Sequence, residues 1–243
     1  MNKDYEELDA GSVAVINETE KSEPELNTVQ AAPSTSIKVK GGRVYAFFKR
    51  AFDIVFSLIS LIVLSPLFLI IAILIKCTSR GKVFYVSKRV GKNGKIFKFY
   101  KFRSMRDGAE QELDTLLNQN MNQGITFKMK DDPRITKIGK FLRKSSIDEL
   151  PQLINILKGD MSLVGPRPGT LREYELYSDY DKQRLLVPQG LTGEWQVRGR
   201  SKIPFKQMVE LDLNYIAHKR SFWYDIKLIF MTFGAVLRQD GAE

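Results

Sequence analysis

A long apolar run in the first third of the chain limits what the chain can fold into. Residues 51–75 contain one charged side chain, Asp53. As a single helix, these 25 residues would extend about 37 Å, which exceeds the roughly 30 Å hydrocarbon core of a bilayer. We therefore predict a membrane-inserted helix rather than the buried core helix of a globular domain.

The run is interrupted by Ser65-Pro66 and has basic residues at both ends. Proline removes a backbone donor and kinks a helix. Lys49-Arg50 precedes the run, and Lys76 begins a basic stretch after it. Because basic flanks stay on the cytoplasmic side, the pattern favours a re-entrant helix that leaves on the face it entered. A straight span would place one basic cluster outside.

The charge of the chain is divided unevenly. Residues 1–37 hold eight acids and two lysines, a net charge of −6. Since the whole chain has a net charge of +10, residues 38–243 have a net charge of +16. The polar, acidic composition predicts a disordered tail over residues 1–40. This tail lacks the basic segment and adjoining apolar run of a secretory signal. The basic remainder indicates an anionic partner: lipid headgroups, nucleic acid or phosphorylated small molecules.

Cysteine and histidine are too few for several kinds of site. Cys77 is the one cysteine, which excludes an intrachain disulfide and a cysteine-rich metal site. His218 is the one histidine, so a metal site built from several histidines is excluded as well.

Two adjacent acids, Asp148 and Glu149, stand where an amphipathic helix is predicted to begin. Ser146 with Glu149 fits a capping box, and Asp148 as the N-cap is the alternative. Lys158-Gly159 is a typical helix end. The partial positive charge at a helix N-terminus keeps a nearby carboxylate ionised and attracts phosphate groups. A carboxylate that acts as a nucleophile on a phosphorus atom requires both properties. The alternative is that both acids only cap the helix.

The remaining segments predict short elements around these acids. Asn93-Gly94 predicts a β-hairpin over residues 83–105. A polar helix is predicted over 107–123, a turn and short helix over 131–143, and a strand at 161–164. A rigid loop then places Arg167 between two prolines, and a fixed guanidinium suits phosphate. The C-terminal segments predict a charged helix over 171–186, a strand with Trp195 and Val197, an amphipathic helix over 205–218 and an apolar helix over 221–237.

Eight short motifs occur in a characteristic order. They are Arg50-Ala51-Phe52-Asp53, Leu64-Ser65-Pro66, Tyr100-Lys101-Phe102-Arg103-Ser104-Met105, Asp132-Pro133-Arg134-Ile135-Thr136, Asp148-Glu149-Leu150-Pro151-Gln152, Lys158-Gly159-Asp160-Met161-Ser162 with Val164-Gly165-Pro166-Arg167-Pro168, and Gly190-Leu191-Thr192-Gly193. Over roughly residues 45–237 the chain resembles the monotopic phosphoglycosyl transferases, also called bacterial sugar transferases or polyprenyl-phosphate hexose-1-phosphate transferases. The resemblance is to their small, minimal form.

The resemblance implies an α+β fold in which a re-entrant membrane helix, broken at Ser65-Pro66, is attached to a small cytoplasmic mixed α/β catalytic domain with interfacial amphipathic helices. The expected divisions are residues 1–40, 45–80 and 81–243. The implied reaction moves a sugar 1-phosphate from a UDP-sugar to undecaprenyl phosphate and releases UMP, through an aspartyl-phosphosugar. This step initiates capsule or exopolysaccharide synthesis at the cytoplasmic face of the bacterial inner membrane. Membrane lipid is an expected partner, and a homodimer is compatible with the sequence.

The resemblance also implies roles for individual residues. Asp148 is the expected nucleophile, and Arg167 is expected to grip the transferred phosphate. Glu149 is expected to hold Mg²⁺ or to assist proton transfer from the lipid phosphate. Asp160 is either a metal-site residue or only part of a turn. Further cations expected at UDP or lipid phosphate, or else at lipid headgroups, are Arg89, Lys101, Arg103, Arg134 and Arg200.

A second function class is a non-catalytic, membrane-attached protein that binds anionic lipid or nucleic acid through its basic surface. Nucleic acid is the weaker version, because no helix-turn-helix, zinc-finger or RNA-binding sheet motif is present, and we expect no nucleic-acid partner. A protein that binds by charge alone does not require Asp148, Glu149 and Arg167 together. The enzyme interpretation is therefore favoured.

Overall fold

The computed structural model describes residues 36–116, 125, 129, 131–199 and 203–237. In chain order its elements are α1 (Arg43–Val63), α2 (Ser65–Thr78), β1 (Phe84–Val90), β2 (Ile96–Phe102), α3 (Leu113–Leu116), α4 (Lys137–Lys144), α5 (Gln152–Lys158), β3 (Met161–Val164), α6 (Leu171–Glu175), α7 (Asp179–Lys182), β4 (Gln189–Thr192), α8 (Glu194–Arg198), α9 (Phe205–Asn214) and α10 (Phe222–Leu237). Short 3-10 segments cover Lys92–Gly94, Ile147–Glu149 and Gln183–Leu186, and a π-helical turn covers Tyr215–Lys219. The predicted acidic tail lies almost entirely outside the described residues.

The apolar run forms a bent pair of helices. α1 and α2 meet at Leu64 and differ in direction by 60°. Pro66 lies in the first turn of α2, where a missing amide N–H breaks no helical hydrogen bond. The predicted break at Ser65-Pro66 is therefore confirmed. Among the described helices, none alone has the length and apolarity to cross a membrane, whereas α1 and α2 taken together meet that criterion by length and composition.

One side of α1 packs on the remainder of the protein. Lys49, Asp53 and Ser57, spaced four residues apart, are buried, since residues at this spacing share one helix face. Asp53 accepts the backbone N–H of Leu163 in β3 at 3.1 Å. Arg50 donates to the last carbonyls of α5, which otherwise lack helical partners. The helical pair is thus joined to the mixed α/β part by specific polar contacts, while the predicted domain boundaries stay a prediction.

Two small sheets complete the α/β part. β1 and β2 form the predicted antiparallel hairpin, in register from the Phe84–Phe102 pair to the Val90–Ile96 pair. Asn93 and Gly94 have positive φ angles of 55° and 78°, which these residue types adopt readily. β3 and β4 form a separate parallel pair.

The largest of three apolar clusters among the described residues joins these sheets to the helices. Its buried side chains come from β2, α5, β3, α9, the π-helical turn and α10. They include Phe99 on β2, Ile156 on α5 and Leu228 on α10. This core fixes β2, α5 and the loop after β3 relative to one another, and these three segments carry the charged residues described below.

The predicted charged helix over residues 171–186 is wrong. Three short segments, α6, α7 and a 3-10 turn, occupy these positions. Thr170 and Ser178 each form a capping box, with Glu173 and Asp181 respectively. Because each capping box fixes a helix start, one continuous helix cannot form.

The predicted strand with Trp195 and Val197 is also wrong, since both residues lie in α8. The strand lies earlier, at β4, where it pairs with β3. A Cβ on Gly190 would collide with the backbone of Gly165, so the close approach of this strand depends on glycine. The polar helix predicted over residues 107–123 is helical at Leu113–Leu116, and residues 117–123 lie outside the described residues.

Candidate active site

Asp148 and Glu149 lie on a 3-10 turn between α4 and α5 rather than on the first turn of an α-helix. Both predicted frames for the helix start are wrong, because Ser146 forms no side-chain cap and Pro151 is the N-cap of α5. Ser146 adopts a left-handed conformation with φ of 57°, which turns the chain before the acids. The predicted end of α5 is confirmed, since Gly159 is its left-handed C-cap.

Lys101 contacts both carboxylates. Its Nζ lies 2.9 Å from Glu149 Oε1 and 3.4 Å from Asp148 Oδ2. Side chains alternate along a strand, so Lys101 projects from the same side of β2 as the buried Phe97 and Phe99. The hairpin therefore carries one lysine from the edge of the core to the acidic pair.

Arg167 reaches Glu149 from the loop that follows β3. Its Nη1 donates to Glu149 Oε2 at 3.2 Å, and its Nη2 donates to Oε1 at 2.6 Å. Pro166 and Pro168 flank it and restrict the backbone φ angle on both sides. The predicted fixed guanidinium is thus positioned directly on the acidic pair.

The two carboxyl groups have opposite pKa shifts. Burial raises the pKa of Asp148, which is 4% exposed; Lys101 counteracts this effect, and the charge of Glu149 adds to it. Burial alone would also raise the pKa of Glu149, but Arg167 and Lys101 outweigh it and hold that pKa well below its ordinary range. Glu149 is therefore firmly ionised, whereas the Asp148 carboxylate is the less stabilised of the two and so the more reactive.

These residues line one end of a cavity of about 680 Å³. Three further arginines line it, Arg89, Arg143 and Arg184. Arg89 was predicted as a phosphate-binding cation. It lies on the same side of β1 as Tyr85, the residue that pairs with Lys101 on β2. Its Nη1 donates to the Pro168 carbonyl at 3.3 Å. Several cations thus surround the acidic pair, an arrangement suited to phosphate groups.

Arg143 and Arg184 were missed by the sequence analysis. Arg143 lies in the last turn of α4 and donates from Nε to Ser104 Oγ at 2.9 Å; within the described residues it forms no salt bridge. Its position in the last helical turn before the acids was a usable signal. Arg184 forms a two-point contact with buried Asp212, at 2.8 and 2.7 Å. No local signal links those two residues, since they are 28 positions apart.

Three other predicted residues, Arg103, Arg134 and Asp160, are not among those that line this cavity. Arg103 donates to the carbonyl and hydroxyl of Ser79 at the end of α2. Arg134 forms a buried salt bridge with Asp132 at 2.7 Å. Asp160 follows the opposite end of α5 from Glu149. Arg200 lies outside the described residues.

Few side chains near the acidic pair could serve as ligands of a metal ion. Within the described part of the chain, no three Asp, Glu, His or Cys side chains are grouped as metal ligands. Asp148 and Glu149 provide two carboxylates at one place, which fits Mg²⁺, since this ion often takes one or two carboxylates together with substrate phosphates and water. Asp160 is not among the residues that line the cavity.

Comparisons with known proteins identify a family for this chain. Residues 44–239 match the family described as bacterial sugar transferase. The galactosyl transferase CpsE of Streptococcus agalactiae is 50% identical over 199 residues, which cover 80% of this chain and 43% of that protein. The undecaprenyl-phosphate galactose phosphotransferase of Salmonella typhimurium is 46% identical over 204 residues, covering 81% of this chain and 42% of that protein.

A shorter relative is matched over most of its length. The exopolysaccharide production protein ExoY of Rhizobium meliloti is 40% identical over 198 residues, covering 80% of this chain and 87% of that protein. The chain spans less than half the length of the first two relatives. With the family match covering most of its length, this chain belongs to the bacterial sugar transferase family.

Proposed function

We propose that this protein transfers a hexose 1-phosphate from a UDP-hexose to undecaprenyl phosphate, releasing UMP. The observation that carries the proposal is the buried Asp148 carboxylate, placed beside Lys101 and within a cavity also lined by Arg143 and Arg167. A carboxylate surrounded by cations suits attack on a phosphoryl group, because positioning and charge neutralisation provide most of the catalysis of phosphoryl transfer. The names of the Streptococcus and Salmonella relatives support galactose as the first sugar to test.

In the first step an Asp148 carboxylate oxygen attacks the sugar-linked phosphorus of the donor. The bond from that phosphorus to the bridging oxygen breaks, and its electron pair leaves with UMP. The hexose phosphate is then held as an acyl phosphate on Asp148. Covalent catalysis of this kind lets one site serve a soluble donor and a lipid acceptor in turn.

In the second step a phosphate oxygen of the acceptor attacks the same phosphorus. The bond to the Asp148 oxygen breaks, its electron pair returns to the carboxylate, and the product is undecaprenyl diphosphate hexose. No oxidant or further reactant is needed. The enzyme is restored with Asp148 ionised.

Glu149 serves better as a fixed negative charge than as a proton carrier. Its pKa is held well below the ordinary range by Arg167 and Lys101, and a base of such low pKa takes up protons poorly near neutral pH. Of the two roles expected for Glu149, the charges around it therefore favour holding Mg²⁺ over assisting proton transfer. Arg143, which has no salt bridge among the described residues, is available to contact a phosphate oxygen.

Mg²⁺ is the proposed cofactor, held by Glu149 and Asp148 together with oxygens of the donor diphosphate. When bound, it would neutralise negative charge on those oxygens. Asp160, at the far end of α5, has no contact with this pair in the described structure.

We propose that α1 and α2 insert into the inner membrane as a re-entrant pair, with both ends at the cytoplasmic face. Their outward side chains are large and apolar, including Ile62 and Val63 on α1 and Leu69 on α2. Contiguous exposed apolar surface of this kind marks a lipid or partner interface. Trp223 at the start of α10 is 80% exposed, a placement typical of a membrane interface.

The biological setting follows from the same proposal. Attachment of the first sugar to the lipid carrier initiates capsule or exopolysaccharide synthesis, in keeping with the names of the CpsE and ExoY relatives. The homodimer stays a prediction.

The decisive experiment compares Asp148→Asn with the wild type in nanodiscs. UMP release is measured with Mg²⁺, undecaprenyl phosphate and a panel of UDP-galactose, UDP-glucose and UDP-N-acetylgalactosamine. We expect release with the wild type, loss of release without Mg²⁺, and no turnover by Asp148→Asn at unchanged membrane association. Asp131→Asn is the matched control, because Asp131 is exposed, lies outside the cavity and has a positive φ that asparagine tolerates. Full activity of Asp148→Asn would exclude Asp148 as the nucleophile.

A further inference from the structure

The cavity has two chemically different halves. The charged half holds the acidic pair and the arginines and lysine around it. The other half includes one stripe along α1 and one stripe along α10, neither with a charged side chain, and the lining also includes Trp195 and Gln196 of α8. The α1 stripe is Phe56, Ser60 and Leu64, and the α10 stripe is Ile229, Thr232, Phe233 and Val236. Side chains at these spacings share one helix face.

The one polar side chain of the α10 stripe offers little to a polar ligand. The Thr232 hydroxyl donates to the Leu228 carbonyl at 2.7 Å and lies 2.6 Å from the Thr192 hydroxyl. Because both contacts of Thr232 are internal, the α10 wall is effectively apolar. A UDP-hexose carries hydroxyls, phosphates and a uracil, so its groups gain nothing from such a wall.

The apolar half continues into the outward apolar surface of the two helices. Phe233 both lines the cavity and is 58% exposed. On α1, Ser60 lines the cavity while its neighbour Ile59, 55% exposed, faces outward. The space between α1 and α10 therefore leads from the acidic pair to the surface that the proposed membrane insertion covers.

We propose that the space between α1 and α10 binds the first isoprene units of the prenyl phosphate acceptor. This inference rests on the proposed function and adds to it the location of the lipid chain. The ligand that suits both halves has an anionic head and an apolar chain. Its phosphate reaches Asp148 and the surrounding cations, and its chain leaves along Ser60, Leu64 and Phe233.

In the kinetic test, a larger side chain partly fills the space between α1 and α10. Ser60→Trp adds an indole to the α1 stripe, and Ile59→Trp places the same group on the outward face as a matched control. In nanodiscs we expect Ser60→Trp to raise the KM for undecaprenyl phosphate by at least about tenfold, the scale of misfit in an apolar pocket. The KM for the UDP-hexose should stay within twofold. Ile59→Trp should leave both values unchanged.

The outcomes separate the inference from the proposed function. A wild type that forms no lipid-linked product with any UDP-sugar refutes the proposed function. An active wild type whose acceptor KM is unaffected by Ser60→Trp, or equally raised by Ile59→Trp, refutes the lipid site.

A second measurement does not depend on the folding of a variant. A prenyl phosphate with a diazirine in its first isoprene units is photolysed with the wild-type protein, and labelled peptides are identified by mass spectrometry. We expect labels on α1 and α10, including the segment around Phe233. Labels confined to α2 or α4 would overturn the proposal.

Discussion

Substitution of Arg167 tests how much of the phosphate site depends on charge and how much on the two-point geometry of guanidinium. Arg167 makes two contacts with Glu149, at 3.2 and 2.6 Å, and we expect the same two donors to grip the transferred phosphate. A hydrogen bond to a charged group contributes about 1.5–3 kcal/mol, and about 1.4 kcal/mol is tenfold in rate. Arg167→Lys loses one donor and should lower kcat/KM about 10- to 150-fold. Arg167→Met loses both and should lower it about 10²- to 10⁴-fold.

The assay is UMP release at saturating undecaprenyl phosphate with the donor concentration varied. The matched control is Arg106→Met, because Arg106 is an exposed arginine that pairs with Glu112 and does not line the cavity. It should retain activity within about twofold, as expected for an exposed ion pair. Arg167→Met within threefold of the wild type would remove Arg167 from the phosphate site. Equal losses in the two Arg167 variants would show that geometry, and not charge, carries the effect.

Two further predictions follow from buried carboxyl groups. Burial raises the pKa of Asp148, and the nucleophile must be ionised. As the pH is lowered, kcat/KM should therefore begin to fall at a pH above the ordinary aspartate pKa of about 3.9. A pH profile in which this fall occurs at or below about pH 3.9 contradicts the prediction. Burial also raises the pKa of Asp212 to about 6 beside Arg184. Above that pH Asp212 is ionised and pairs with the Arg184 guanidinium, whereas below it the carboxyl is largely protonated and resembles the amide of Asp212→Asn. Unfolding should therefore show a loss of roughly 3–5 kcal/mol for Asp212→Asn at pH 8 and a smaller loss at pH 5, and equal losses at the two pH values would refute this prediction.

Features that depend on neighbouring residues were predictable from the sequence. The hairpin turn at Asn93-Gly94 and the end of α5 at Gly159 follow from residues that tolerate positive φ. The helix break follows from Ser65-Pro66. Capping signals at Thr170 and Ser178 were also present in the sequence, and the Ser178 cap lies inside the single charged helix that was predicted.

The residues that line the cavity were predictable only in part, because a basic residue can either face a ligand site or form contacts within the fold. Arg167 lies on the acidic pair, whereas Arg103 contacts the end of α2 and Arg134 pairs with an aspartate two positions earlier. Sequence identifies all three as cations but does not determine which of them faces the cavity. Arg184 enters the cavity through its contact with Asp212 on a distant helix, a consequence of the tertiary packing of α9.

The pairing of cations with carboxylates explains how so many charged side chains can lie close together in this cavity. Glu149 is shared by Lys101 and Arg167, and Asp212 offsets Arg184; unpaired, each of these buried charges would be costly. A phosphate that takes over Lys101 and Arg167 leaves the ionised Glu149 in need of another cation, which the proposed Mg²⁺ provides. Donor and metal are therefore expected to bind together, and UDP-hexose should bind more weakly without Mg²⁺ for reasons of charge balance on the protein as well as on the diphosphate.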